Sequence, residues 1–433
     1  MLPMLTPMLH AQPMPERVWT TPSDKNRDAG TKRPSACAQR QEFEAHPLGM
    51  LHRGNSAVVY DQPMLPTSAL DYDLPERLIA TRPMNPREDA RLMVLQRSDP
   101  SRVEHARIAD LPGLIPPGTT AVFNRTRVMP ARFLGINLDT GGRVEGLWLE
   151  DAPGDGGDGL VWHAMVRARR HRPGRRMELV DAAGNRSGVV LTLIERVSED
   201  GVWSLSVEDA RGRATWEILD AVGLTPLPPY IRGARKKAGV TVSDAEDRRD
   251  YQTVFAAQAD EPGHWSVAAP TAGLHFTAEI LEQLDARGIN RAEVILDVGP
   301  GTFKPIETET VEAHRMHSEW CSLGDAASVL DGPGPVMAVG STSARTLESF
   351  ALGRKSGRAG QGWISTDLMI SPGYRWQRVD AMVTNFHLPR STLLLMVGAF
   401  LPGGIEQLLD LYRQAVEMEY RFYSYGDAML ILP

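Results

Sequence analysis

Apolar positions along most of this 433-residue chain recur with periods that specify elements, but the first stretch is an exception. Residues 1–66 scatter nine prolines among polar side chains and sustain neither a period of 2 nor one of 3.6. A segment that buries so little cannot offset its ordering entropy, so a disordered extension is expected there. A true start at Met50 or Met64 is the competing reading. Beyond it, Leu92–Leu95 and Thr120–Phe123 read as strands. From about Ala131 to Val222 the pattern becomes short strands with Gly-rich turns, as in Leu160–Val166, Met177–Val180, Val189–Ile194 and Val202–Val207. That spacing predicts a small β-barrel or sandwich. The proline cluster between Gly223 and Tyr230 ends the unit, since it supports neither helix nor central strand.

The second half alternates strand-like and helix-like segments, which predicts an α/β architecture. Three crossings carry polar loops. Val267–Ala269 leads into 270–276 and a helix that Thr277 caps. Val336–Val339 leads into Gly340-Ser341-Thr342-Ser343 and a second helix. Val379–Val383 leads into 384–390 and a helix from Ser391. A last amphipathic helix places Ile405, Leu408, Leu409, Tyr412, Val416 and Tyr420 on one stripe.

Composition narrows the class. Hydrophobic residues make up 42% and charged residues 23%, the profile of a globular protein. The longest apolar run, Leu393–Phe400, is too short to cross a bilayer, and no secretory leader is expected. Two cysteines, Cys37 and Cys321, exclude a disulfide framework and a four-cysteine zinc site, and fit the cytoplasm. The net charge of −7 excludes a protein that coats nucleic acid through its overall field. RNA contact would need a local patch. The basic runs are Arg167, Arg169, Arg170, Arg172, Arg175 and Arg176, then Arg232, Arg235, Lys236 and Lys237. Such runs are usually solvated surface, but in an acidic body they are also the candidate phosphate contacts.

In open α/β sheets, ligands bind beyond the carboxyl ends of the strands. The crossings place Thr271, His275 and Phe276, then Ser341, Thr342 and Ser343, then Asn385, Phe386 and His387 at such ends. The helix N-termini that follow suit a carboxylate or phosphate. A simpler reading of the serines is helix capping, but three such loops favour a shared pocket. The two loop histidines suit proton transfer near neutral pH, although a lone loop histidine more often makes one structural hydrogen bond. His314, His317 and Glu319 have metal-like spacing without a second cluster, so a solvated or substrate-facing segment is the better reading.

Several of these stretches carry a resemblance. They include Val122-Phe123-Asn124 with Thr126-Arg127-Val128, Pro226-Leu227-Pro228-Pro229-Tyr230-Ile231, Ala268–Phe276 (AAPTAGLHF), Gly301-Thr302-Phe303 and Met316-His317-Ser318-Glu319. Thr342–Ser349 (TSARTLES), Thr384–Pro389 (TNFHLP) and Tyr420–Met429 complete the set. In collinear order from about Leu65 to the C-terminus, they resemble the S-adenosylmethionine:tRNA ribosyltransferase-isomerase family of queuosine biosynthesis. The resemblance implies an α/β catalytic domain, residues 67–130 and 223–433, with a small β-barrel domain inserted at 131–222. It implies transfer and isomerisation of the ribosyl moiety of S-adenosylmethionine onto 7-aminomethyl-7-deazaguanine at the tRNA wobble position, giving epoxyqueuosine, adenine and methionine. S-adenosylmethionine is then a co-substrate, no metal or other cofactor is expected, tRNA is the macromolecular partner, and the protein is expected to be a cytoplasmic monomer.

On that resemblance, His387 and His275 are the candidate proton-transfer groups, with Glu319 and Asp427 as carboxylates. Ser341, Thr342, Ser343 and Arg345 are candidates for an anionic group. Asn124, Arg127, Thr271, Phe276, Asn385 and Tyr425 are further substrate-binding positions, and Arg169, Arg170, Arg172, Arg235 and Lys236 are RNA contacts. The chain departs from the family pattern at Ala90, Arg125, Asp297, Met369 and Ser371. A paralogue with another acceptor, or a non-catalytic RNA-binding relative, are the alternatives those departures raise.

Overall fold

The computed structural model describes residues 64–152, 159–167, 172–198, 201–208, 210, 212–258, 261, 264–299, 301, 304–356 and 362–433. The stretch 1–63, and with it nearly all of the expected extension, lies outside the described residues, as do Arg169, Arg170, Thr302 and Phe303.

The strands in chain order are β1 (Arg91–Gln96), β2 (Asp99–Arg107), β3 (Thr120–Asn124), β4 (Arg127–Val128), β5 (Arg132–Asn137) and β6 (Arg143–Asp151). Next come β7 (Leu160–Arg167), β8 (Arg176–Val180), β9 (Arg186–Arg196), β10 (Val202–Glu208), β11 (Trp265–Ser266) and β12 (Asn290–Leu296). The last are β13 (Glu319–Ser322), β14 (Val336–Val339), β15 (Trp363–Thr366), β16 (Ala381–Asn385) and β17 (Ala428–Leu432).

A nine-stranded sheet runs in the order β15-β13-β12-β3-β14-β16-β17-β1-β2. Its centre, β12-β3-β14-β16, is parallel. β14 and β16 are buried at every position, which is why they read as unbroken apolar runs rather than as alternation. Core side chains cover both faces. One layer gathers Val122, Ala338 and Met382 with the helix Ser341–Lys355. The other gathers Phe123, Val339 and Val383 with the helix Ala278–Ala286.

Strands β5–β10 close a six-stranded antiparallel barrel in the order β10-β7-β6-β5-β8-β9. The alternation in β5, buried at every second position, points Phe133 and its neighbours into a core shared with Trp162 and Leu205. The barrel or sandwich that the turn spacing predicts is therefore a barrel. The helix Thr215–Val222 adds Ile218, Leu219 and Val222 to the same core. Entry and exit of the barrel touch: Arg132 N donates to Leu224 O at 3.1 Å, and Leu224 N to Arg132 O at 2.6 Å. Gly223 permits this crossing, since a Cβ there would sit 1.8 Å from the Pro130 carbonyl oxygen.

One expected crossing is built differently. The Val267–Ala269 segment is no strand of the main sheet. β11 pairs only with β4, in a separate two-stranded sheet. Ser266 Oγ takes the place of a ladder partner, donating to Ala268 O at 2.8 Å and accepting from Val298 N at 2.9 Å. The last helix runs Gly404–Glu417 with Leu408 and Tyr412 inward, and ends before Tyr420. No single helix among the described residues is long and apolar enough to cross a membrane.

Candidate functional site at the strand ends

The carboxyl ends of β14 and β16, and the segment after β11, meet in one cleft. One lobe, about 340 Å³, is lined by Thr271, Ser341, Thr342, Asn385 and His387. A second lobe, about 330 Å³, shares Thr271, Asn385 and His387 and adds Tyr230 and Ser424.

The first wall is the helix Ser341–Lys355. Its N-cap is Gly340, whose φ of 89° belongs to the left-handed region that glycine tolerates. No side chain caps this helix. The Ser343 hydroxyl turns back to Val339 O at 3.0 Å, and the Thr342 hydroxyl is buried without a partner among the described residues. The first-turn amides and the Thr342 hydroxyl are thus left for a ligand, at the positive end of a 15-residue helix. The neighbouring helix Thr392–Phe400 differs: Ser391 Oγ accepts from Leu394 N at 3.1 Å and closes that terminus.

The second wall is the loop after β16, which is held on several sides. His387 N donates to the Tyr412 hydroxyl at 2.9 Å, and the Tyr72 hydroxyl donates to His387 O. Arg390, at a φ of 56°, pairs with Asp71 at 2.8 Å. A non-glycine residue in that region is strained, and the Asp71 pair opposes its release. The His387 side chain is buried and its pKa falls to about 3 through desolvation, so it is neutral at pH 7. Its Nε2 lies 2.8 Å from Thr384 Oγ1, and Nδ1 has no partner among the described residues.

The third wall is Thr271, whose hydroxyl donates to Asn385 Oδ1 at 3.2 Å. Asn385 Nδ2 donates to Tyr423 O and to His275 Nε2, both at 3.1 Å. His275 therefore stands behind Asn385 and lines neither lobe of the cleft. Burial, with Arg421 and Arg87 adding to it, brings its pKa to about 3.

Of the sequence candidates, Thr271, Ser341, Thr342, Asn385 and His387 converge. Others have work elsewhere. Ser343 is wholly buried within its helix. Arg345 pairs with Glu319 inside the protein, and Glu319 also accepts from Gly299 N at 2.9 Å. That ion pair removes Arg345 as a free cation for a substrate anion. Asp427 is fully buried, accepting from Arg91 N at 3.0 Å, Arg91 Nε at 3.3 Å and Arg421 N at 2.8 Å, so it ties β1 to the chain before β17. Asn124 spends both halves of its amide on β12, donating to Leu296 O at 3.0 Å and accepting from Leu296 N at 3.1 Å. Phe276 packs edge-on against Phe123 in the core. Tyr425 packs edge-on against Tyr251. Arg127 lines a different cavity. Arg235 is buried in a two-point pair with Asp247 at 2.7 and 2.8 Å, which withdraws it from phosphate, whereas Arg172 and Lys236 are exposed.

Sequence reasoning missed Tyr72, Tyr412 and Tyr230, which frame the histidine loop. Tyr230 was visible only as a position in the Pro226–Ile231 motif, and Tyr412 only as part of an apolar helix face. Among the described residues no group of three or more histidine, cysteine or acidic side chains forms a metal cluster.

The family described as Queuosine biosynthesis protein matches residues 67–431. The S-adenosylmethionine:tRNA ribosyltransferase-isomerase of Symbiobacterium thermophilum is 43% identical over 373 residues, covering 84% of this chain and 99% of that protein. Its namesake in Gloeobacter violaceus is 44% identical over 377 residues, covering 85% and 96%. That of Anaeromyxobacter dehalogenans is 45% identical over 376 residues, covering 84% and 99%. The crystal structure of S-adenosylmethionine tRNA ribosyltransferase from Thermotoga maritima is 29% identical, covers 84% of this chain and all of that one, and gives a TM-score of 0.43. The family match over most of the chain and the identity to these relatives show that the chain belongs to the S-adenosylmethionine:tRNA ribosyltransferase-isomerase family of queuosine biosynthesis.

Proposed function

We propose that this enzyme transfers and isomerises the ribosyl moiety of S-adenosylmethionine onto 7-aminomethyl-7-deazaguanine at the wobble position of tRNA. The products are epoxyqueuosine in tRNA, adenine and methionine. The observation that carries the site assignment is the meeting, in one cleft, of an uncapped helix N-terminus and a neutral histidine with a free ring nitrogen. The helix terminus and the Thr342 hydroxyl receive the methionine carboxylate. The sulfonium acidifies the adjacent ribose C5′ protons. In the tautomer whose Nε2–H donates to Thr384 Oγ1, His387 Nδ1 holds the lone pair that accepts such a proton. The imidazolium so formed is the acid that hands the proton to the departing adenine.

Asn385 and Thr271 orient the ribose, and His275 positions Asn385. Residues 67–130 and 223–433 form the catalytic domain, with 131–222 inserted. Exposed Arg172 and Lys236 supply phosphate contacts. The test is adenine release from S-adenosylmethionine in the presence of tRNA carrying the deazaguanine precursor. Release that requires this tRNA supports the reading. Release with another acceptor, or tRNA binding without release, contradicts it.

A further inference from the structure

A second cavity opens where the chain enters the barrel and returns from it. Arg127, Trp216, Thr225, Tyr251 and Gln252 are among its walls. Nothing in the cleft chemistry uses it, yet three of these side chains are set for a ligand. Thr225 is 5% exposed; its amide donates to Asp244 Oδ1 at 2.7 Å, but its hydroxyl has no partner. A buried hydroxyl left unpaired is costly, and a ligand atom would satisfy it. The Arg127 guanidinium donates to the Ala257 carbonyl at 3.3 Å, and among the described residues no carboxylate pairs with it. Arg248 in the same wall is, by contrast, held by Asp220 and Asp244. Trp216 is half-buried, packs against the barrel core and is also among the residues that line the cavity.

The cavity lies close to the cleft. Val128 and Tyr251 on its wall pack in one cluster with Ala269 and Tyr230, which line the two lobes of the cleft. An aromatic plane, an unpaired guanidinium and an unsatisfied hydroxyl are what an unstacked nucleotide requires. Resting on the tRNA reading above, we propose that this cavity receives the base of an anticodon-loop nucleotide next to the wobble position. Trp216 stacks on the base, Thr225 Oγ1 bonds its polar edge and Arg127 takes the flanking phosphate.

The test uses the full chain and an anticodon stem–loop RNA bearing the precursor base. Trp216→Ala is expected to weaken RNA binding about tenfold through lost stacking. Thr225→Val, which keeps shape, is expected to raise the KM for tRNA severalfold and leave the KM for S-adenosylmethionine unchanged. Arg127→Gln is expected to lower the slope of log affinity against log salt by about 0.7. An abasic site beside the wobble position should weaken binding by wild type but add nothing to Trp216→Ala. Wild-type affinity in Thr225→Val together with equal abasic losses in wild type and Trp216→Ala would overturn the base pocket while leaving the catalytic reading intact. Absence of tRNA-dependent adenine release from the wild type overturns both.

Discussion

His275 meets the cleft only through Asn385, whose amide nitrogen donates to His275 Nε2 at 3.1 Å while its oxygen accepts from Thr271. The histidine thus holds the asparagine in place, and the asparagine is the one of the two that lines the cleft. Asn385→Asp keeps the shape but sets an oxygen against His275 Nε2 and the Tyr423 carbonyl. It is expected to lower kcat/KM for S-adenosylmethionine about a hundredfold through misplacement of the cleft groups. Steady-state adenine release measures this. His275→Gln, which keeps an acceptor, is expected to retain more activity than Asn385→Asp.

The two buried histidines give the protein a predictable acid sensitivity. Each has a folded pKa of about 3 against an ordinary 6.5, so below the ordinary value the unfolded chain takes up protons that the folded one refuses. Stability is then fully present above about pH 6.5 and falls as pH drops toward 3, by about 1.4 kcal/mol per pH unit for each histidine. Denaturant titrations at pH 7.5, 6 and 5 should show this slope, and His275→Gln should flatten it. An equal slope in the variant contradicts the burial argument. The acid limb of kcat/KM from His387 should fall below pH 5.

Gly223 and Gly233 form a matched pair. A Cβ at Gly223 meets the Pro130 carbonyl at 1.8 Å, while one at Gly233, inside the helix Pro229–Ala238, meets nothing within 4 Å. Gly223→Ala should lower the melting temperature by several degrees, because the barrel's two connections cross there. Gly233→Ala should raise stability by about 0.5–1 kcal/mol through helix propensity. Calorimetry of both variants decides it.

Glu348 anchors the middle of the Ser341–Lys355 helix to the segment before β16. Its fully buried carboxylate accepts from the Tyr374 hydroxyl at 2.8 Å and from the amides of Gln377, Arg378 and Val379 at 2.8 to 3.0 Å. Glu348→Ala strands these donors and should cost on the order of 3 kcal/mol or more in chemical denaturation.

The same helix shows why the sequence disclosed the site's place but not its membership. The run Thr342–Ser349 stands out by its polar residues, yet Ser343 bonds the last carbonyl of β14, Thr346 bonds its own helix, Arg345 meets Glu319, and Glu348 holds a distant loop. Polar residues in a buried helix must be paired, so structural need and chemical use leave the same mark in the sequence. The parallel strands β14 and β16 were legible because burial on both faces makes an unbroken apolar run. β11 was not, since Ser266 replaces strand pairing with side-chain bonds that have no period. Arg235 looked like a phosphate contact because its partner Asp247 lies in another helix, Asp244–Asp250, where no spacing rule links them.

A crystal structure with S-adenosylmethionine bound bears most directly on where the chemistry happens. The methionine carboxylate is expected at the open end of the Ser341–Lys355 helix, about 3 Å from Thr342 Oγ1, with the ribose beside His387 Nδ1. Nucleoside bound away from the ends of β14 and β16, or a His387 ring turned from the ribose, would contradict the account.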